Sequence, residues 1–366
     1  MIKVAIILGI RPNIIKLGPL MRRIESDSDI KQIIINTGQH YDYEMSKIFF
    51  DSLKIPKPHY NLEIGSGSQA YQVGHSMIKI EEILLKEKPN LTIVIGDSNP
   101  TLSGALASVK LHIPILHIES GLRSYDRKMP EEINRILVDS IADFLQTPLP
   151  HAAQTLLKQN IVKDNIWETG DITSDAVSEH ITIADKESNI LERLGLEKNS
   201  YILATIHRAE NTNNKKRLRG IMEALDILKA VVPLHPRTKK ALQENNFDFK
   251  NIRFIDPLDY LDNLKLLKNS KVFITDSGGM QKEAFILKVP CITCRDTTEW
   301  SETIENEANV LVGDDKKKII DEVRKRSSKD FKGKLLSIES PYGSDVSNKI
   351  IDLIKEKNKE GKLIFK

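Results

Sequence analysis

Cysteine is scarce, with two in 366 residues. That excludes a disulfide scaffold and fits a reducing cytoplasm. Apolar runs are short; Val4–Leu8 is among the longest, far below the roughly 20 residues that span a bilayer. The opening segment Met1–Pro12 is not expected to be a secretory leader. Its apolar stretch is brief and meets Arg11-Pro12 with no small-residue cleavage site. An excess of one charge is also missing: Lys plus Arg number 54, Asp plus Glu 51, and the formal net charge is +3. The basic residues are scattered without interleaved aromatics, so neither a nucleic acid nor a membrane is an expected partner. No His-Glu-x-x-His or comparable ligand spacing occurs, so a metal site has no support. The loop Gly9-Ile10-Arg11-Pro12-Asn13 lacks the second and third glycines of the dinucleotide fingerprint.

Apolar residues make up 40% of the chain, enough for two ordinary cores at about 150 residues per domain. Short apolar runs alternate with amphipathic stretches. Strands are expected at Val4–Leu8, Gln32–Asn36, Thr92–Ile95 and Ile113–Ile118. Helices are expected at Ile14–Ile24, Tyr71–Leu85, Thr101–Lys110 and Glu131–Leu145. Continuously apolar strands separated by helices mean a parallel sheet covered on both faces. The grammar restarts at Tyr201–Ile206 and runs through Ala230–Leu234, Val272–Thr275 and Pro290–Thr293. The fold class is α/β, with two doubly wound Rossmann-like domains. The first is expected at 1–172, the second at 173–345. Residues 346–366 hold a last helix, striped by Ile350, Ile351 and Ile354, that crosses back to the first domain. Ligands of open α/β sheets sit at the carboxyl ends of strands, so the active site is expected in the interdomain cleft.

Several strand ends carry chemistry. Arg11 and Lys16 add two cations to the turn after the first strand, where a helix start favours anions; an ordinary turn explains the loop equally. Thr275-Asp276-Ser277-Gly278-Gly279 follows a strand and opens a helix whose free N–H groups suit a diphosphate, with Glu283 placed for ribose hydroxyls. Three carboxylates stand at strand ends or helix starts. Asp97 reads as a titrating group or a cap for the next helix. Glu119 reads as a titrating group or a buried partner of Arg123. Glu131, with Arg135 one turn on, reads as a titrating group or a complement to the helix dipole. Carboxylates gathered in a closed site acquire split pKa values and divide acid and base roles. His207 and His235 end strands, a position suited to proton transfer or phosphate contact, although a lone histidine is more often structural. Cys291-x-x-Cys294 lies along an expected strand rather than at a helix start and reads as core thiols. Trp300 reads as packing or a wall of the site.

Together these segments form an ordered set. Gly-x-Arg-Pro with a following Lys, Thr-Gly-Gln-His, Gly-Asp-Ser, His-Ile-Glu-Ser-Gly-Leu-Arg, Pro-Glu-Glu-x-Asn-Arg, His-Arg-x-Glu-Asn, Leu-His-Pro, Thr-Asp-Ser-Gly-Gly and Arg-Asp-Thr-Thr-Glu follow one another from about residue 3 to about residue 315. The order resembles the non-hydrolysing UDP-N-acetylglucosamine 2-epimerases. The resemblance implies the GT-B architecture and inversion at C2 of UDP-GlcNAc to give UDP-ManNAc, with no cofactor and no metal. UDP leaves C1 as a base removes the C2 proton, and it adds back to the 2-acetamidoglucal as a proton reaches the opposite face. Carried over position by position, Asp97, Glu119 and Glu131 become the acid/base candidates, and His207 helps the departing diphosphate. Arg11, Lys16, Arg135, His235, Ser277, Gly278, Gly279 and Glu283 become the grip on the UDP-sugar. Some members are activated by UDP-GlcNAc; Gln39 and His40 match part of that neighbourhood, while the segment near Gln69 is only loosely similar. The family tends to homodimers.

The sequence also departs from the family pattern. Ile10 and Asn13 replace Thr and Glu, and Ser98-Asn99-Pro100 replaces a threonine-rich run. Ser140 replaces a histidine, Lys282 a glutamate, and Gly170-Asp171 stands where Gly-Asn is usual. These positions border the site and bear on the sugar more than on the reaction type. A modified UDP sugar of the diacetamido uronic acid type is the second reading, a GT-B glycosyltransferase the third, disfavoured by three carboxylates aimed at one sugar, and a weakly active UDP-sugar-binding paralogue, motivated by the altered loop edges, the fourth.

Overall fold

The computed structural model describes residues 1–38 and 50–363; Gln39 and His40 lie outside the described residues. The described chain divides into two compact units, Met1–Ala176 with Pro341–Lys366, and Val177–Ser340.

The first unit is built on seven strands: β1 (Ile2–Leu8), β2 (Ile30–Asn36), β3 (Tyr60–Asn61), β4 (Leu91–Ile95), β5 (Ile115–Ile118), β6 (Phe144–Thr147) and β7 (Ile166–Glu168). They are parallel, in the order β3-β2-β1-β4-β5-β6-β7. Strands β4, β5 and β6 are buried at every residue, as a sheet covered on both faces requires. The strand order reverses between β1 and β4, and the loops after these two strands flank the switch point. The helix Val346–Lys359 buries Ile350, Ile351 and Ile354, and Lys355 pairs with Asp27 at 2.6 Å and Asp29 at 3.2 Å.

The second unit has five parallel strands: β8 (Ile202–Thr205), β9 (Val231–Pro233), β10 (Arg253–Ile255), β11 (Val272–Thr275) and β12 (Cys291–Thr293), in the order β10-β9-β8-β11-β12. Alternation along β11 feeds two cores. Val272 and Ile274 join Ile221, Leu225 and Ile292 on one face, while Phe273 joins Leu266, Leu267 and Ala284 on the other. The switch point here lies between β8 and β11.

One expected helix is shorter than the sequence suggests. It covers Pro130–Ile141 instead of running to Leu145, and Phe144–Thr147 becomes β6. The chain turns extended at Ala142, and Asp143 pairs with the start of β5: its carboxylate accepts the Ile115 N–H at 2.9 Å and its own N–H donates to the Ile115 carbonyl. Phe144 and Leu145 are thereby drawn into the sheet. The strands β3, β7 and β10, two or three residues each, are too short to leave a period of two in the sequence. Among the described residues no helix is long and apolar enough to cross a membrane.

Candidate active site

In the first unit the chain leaves β1 through Gly9. A Cβ there would collide with the Thr37 hydroxyl and the Pro100 ring, so only glycine lets the loop pass. The helix Arg11–Glu25 then begins with no side-chain cap. Arg11 is exposed at its start. Lys16, one turn on, reaches Glu119 Oε2 at 2.7 Å. Burial pulls the Lys16 pKa down, but Glu119, Asp171 and Asp97 outweigh it and hold the ammonium above its ordinary value.

Two of the three expected carboxylates meet here. Asp97 follows β4 by way of Gly96 (φ +69°), and Glu119 follows β5 in a left-handed conformation (φ +65°). Asp97 forms a close ion pair with Arg135, and Glu119 pairs with Lys16. Asp97 does not cap the helix Asn99–Lys110, whose N-cap residue is Ser98. Glu119 is not the partner of Arg123 either; the Arg123 guanidinium meets Asp139 at 2.6 Å. Glu131 is exposed on the first turn of its helix, and its side chain makes no hydrogen bond or ion pair among the described residues. Its neighbour Glu132 is the buried one. It accepts from the N–H groups of Ser124 (2.8 Å) and Tyr125 (3.0 Å) and pairs with Arg135 at 2.9 Å. Arg135, expected to grip the UDP-sugar, is thus held between Asp97 and Glu132.

Asn13, Ser98 and Asn99, which depart from the family pattern, are hydrogen-bonded around the Asp97 turn. Asn13 donates to the Ile95 carbonyl (3.1 Å) and to Ser98 Oγ (3.3 Å). Asn99 donates to Gln72 (2.8 Å), and Asn134 donates to the Asp97 carbonyl (2.8 Å) and to Asn99 (3.4 Å). Ser140 is exposed, and its hydroxyl donates to the Ile136 carbonyl of its own helix.

In the second unit, fully buried Asp276 organises the loop after β8. It accepts from the N–H groups of His207 (3.0 Å) and Arg208 (2.9 Å) and from Asn211 (3.0 Å). In the sequence Asp276 is marked only by its place one residue before the helix-opening Ser277. The His207 ring stands 3.5 Å from Asp276 Oδ1 and 5.2 Å, centroid to centroid, from His235. Burial, aided by Arg208 and Arg237, holds His207 below the ordinary histidine pKa despite Asp276, so the ring is neutral at pH 7. Burial likewise lowers His235, with His207 and Arg237 adding to it. His235 caps its helix by accepting the Arg237 N–H at Nδ1, which leaves the proton of the neutral ring on Nε2.

Ser277 precedes the helix Gly278–Ile286, and its hydroxyl makes no cap bond. A Cβ on Gly279 would meet nothing within 4 Å, so the helix start is open at that point. Such an end presents N–H groups and a partial positive charge to an anion. Around Gly278 stand Arg208, Glu299 and Trp300. The Trp300 indole donates to the Gly278 carbonyl at 2.9 Å, and buried Lys282 lies 4.1 Å over the Trp300 ring. Trp300 is therefore packing that fixes the helix start. Glu283 lies beside Tyr260, and burial together with Glu283 pushes that phenol well above its ordinary pKa. Cys291 and Cys294 are buried free thiols, with burial pushing Cys291 up to about 12.

The arrangement has relatives. A family described as UDP-N-acetylglucosamine 2-epimerase matches residues 22–355. A UDP-N-acetylglucosamine 2-epimerase of Methanocaldococcus jannaschii is 49% identical over 331 residues, covering 87% of this chain and 90% of the relative. A UDP-2,3-diacetamido-2,3-dideoxy-D-glucuronate 2-epimerase of Pseudomonas aeruginosa is 42% identical over 329 residues, covering 88% and 91%. The crystal structure of the M. jannaschii UDP-GlcNAc 2-epimerase with UDP-GlcNAc and UDP superposes with a TM-score of 0.83 at 45% identity, covering 97% of this chain and 99% of that one. The fold is of the GT-B type, and this chain belongs to the UDP-N-acetylglucosamine 2-epimerase family.

Proposed function

We propose that the protein interconverts UDP-GlcNAc and UDP-ManNAc. The observation that supports this best is the pairing beside the first switch point. Asp97 and Glu119 end adjacent strands, and each is matched to its own cation, Arg135 and Lys16. Epimerisation needs two proton-transfer groups, because the proton leaves one face of C2 and returns to the other. The C2 proton is only weakly acidic. Coupling its removal to cleavage of the C1–O bond turns the C2–H electron pair into the new C1–C2 double bond, while the C1–O pair departs on the phosphate oxygen of UDP, the leaving group. The intermediate is a 2-acetamidoglucal, and re-addition of UDP with proton delivery to the other face completes a redox-neutral cycle. On this reading the helix start at Ser277-Gly278-Gly279, with Arg11, Lys16, His235 and Glu283, grips the UDP-sugar, and His207 assists the departing diphosphate. Glu131 stays an acid/base candidate through the family motif alone.

A 2-epimerase acting on a UDP diacetamido uronic acid is the second reading, favoured by the 42% identity to the P. aeruginosa enzyme. The working form on this proposal is a cytoplasmic homodimer feeding polysaccharide synthesis. Support for the dimer comes from Tyr71, Ile78 and Leu85, exposed at seven-residue spacing along one helix.

The test is proton NMR of UDP-GlcNAc with the protein in D₂O. Deuterium at C2 together with UDP-ManNAc signals is the expected result. UDP binding without C2 exchange overturns the reading in favour of the modified sugar or a binding role.

A further inference from the structure

Beneath the two carboxylate-bearing turns lies a buried charged cluster that touches neither carboxylate. His117, on β5, is fully buried, as is Asp139 on the helix Pro130–Ile141. The His117 Nδ1 stands 2.7 Å from Asp139 Oδ1, and its Nε2 stands 2.8 Å from the Gly96 carbonyl oxygen. The other Asp139 oxygen accepts from Arg123 at 2.6 Å and from the Gly121 N–H at 3.1 Å. Gly96 immediately precedes Asp97. Gly121 closes the left-handed turn that begins at Glu119. One three-residue cluster thus holds the backbone of both turns.

We infer that His117 is a positioning residue for the proton-transfer step, tying the Asp97 turn to the Glu119 turn through the Gly96 carbonyl and Asp139. This rests on the epimerase reading above. A carbonyl oxygen only accepts, so Nε2 donates to Gly96. Burial alone would raise Asp139, but His117 and Arg123 outweigh it and hold the carboxyl below its ordinary range. An ionised carboxylate also only accepts, so Nδ1 donates too. Both ring nitrogens are thereby engaged with oxygen partners, and the ring has no spare position with which to exchange them. Its role follows from the tolerance of the chemistry. Proton transfer requires heavy-atom distances of about 2.6–3.2 Å, and two groups serving opposite faces of one carbon must both meet that limit. A displacement of about 1 Å costs on the order of 100-fold in rate.

The test uses the full chain. His117→Phe keeps a planar ring and removes both donors. Its kcat is expected to fall about 100-fold, with KM for UDP-GlcNAc within about threefold of wild type. His117→Gln retains an N–H directed at the Gly96 carbonyl and is expected to recover about tenfold of that loss, the worth of one net hydrogen bond. His117→Phe leaves a buried carboxylate short of a donor and is prone to misfold, so the wild-type ring supplies an independent readout. With ¹⁵N-labelled histidine, two slowly exchanging N–H protons are expected on one ring, assigned by their absence in His117→Gln. A single N–H on that ring overturns the inference. So does an unchanged kcat in His117→Phe, or an equal loss in the Phe and Gln variants. Wild-type protein that leaves C2 unexchanged overturns the epimerase reading, and this is recognised without any variant.

Discussion

Glu132 shows how a single buried carboxylate serves the site without facing a substrate. It is 1% exposed and accepts from Ser124, Tyr125 and Arg135, so it fastens the loop after Arg123 and fixes the guanidinium that meets Asp97. Burial pushes its pKa up, but the Ser124 N–H, Arg135 and the Tyr125 N–H prevail and hold it below the ordinary glutamate value. A depressed carboxylate contributes stability that is full above its unfolded pKa and is lost as pH falls through its folded pKa. Glu132→Gln is therefore expected to loosen the loop by about 2 kcal/mol at pH 7, read as faster hydrogen exchange at the Ser124 and Tyr125 N–H groups. The difference from wild type should shrink as pH falls below about 4. A difference that persists at low pH would show that packing, not charge, holds the loop. Sequence spacing could not separate Glu131 from Glu132, because Arg135 lies four residues from one and three from the other, and both spacings form helix pairs. What decides is the chain's return through Ser124 and Tyr125, which no local pattern records. Asp139 and Asp276 were missed for the same reason: their partners lie 22 and 69 residues away.

At the scale of elements, the sequence was most legible where strands were buried on both faces. The runs that became β1, β2, β4, β5, β8 and β11 were apolar enough to place, and the parallel order follows from the helices between them. Their carboxyl ends located Asp97, Glu119, His207 and Ser277. Less legible was the conformation of the turns themselves, since Glu119 adopts a positive φ that its residue type does not announce. Gly121 makes that turn feasible. It has φ +78°, and a Cβ would strike the Ala152 carbonyl oxygen. Because the obstacle is backbone, it cannot rotate away as a side chain would. Gly121→Ala is expected to cost on the order of 2–4 kcal/mol, combining the left-handed penalty with the collision. It should also lower kcat, since Glu119 is carried on the same turn. A lower urea midpoint with a lower kcat is the expected outcome; an unchanged midpoint would show that the turn relaxes freely.

Over the whole chain, chemistry is divided between two sheets with separate cores. The first unit collects Asp97 and Glu119 with Lys16 and Arg135, a set of paired opposite charges suited to moving protons. The second presents an open helix start and two histidines held below their ordinary pKa. That division makes binding and turnover separable. If the second unit supplies most of the hold on the diphosphate, removing the Asp97 charge should leave UDP affinity nearly intact while turnover collapses. Asp97→Asn is accordingly expected to lose about 100-fold or more in C2 exchange. The same variant should keep the full thermal stabilisation by UDP, about 2.7 kcal/mol at 100 times its Kd. Retained stabilisation with lost exchange assigns Asp97 to proton transfer. A loss of UDP stabilisation in step with exchange would instead make the Asp97–Arg135 pair part of the nucleotide grip, because Arg135, released from its carboxylate, would then have changed the charge that the diphosphate meets.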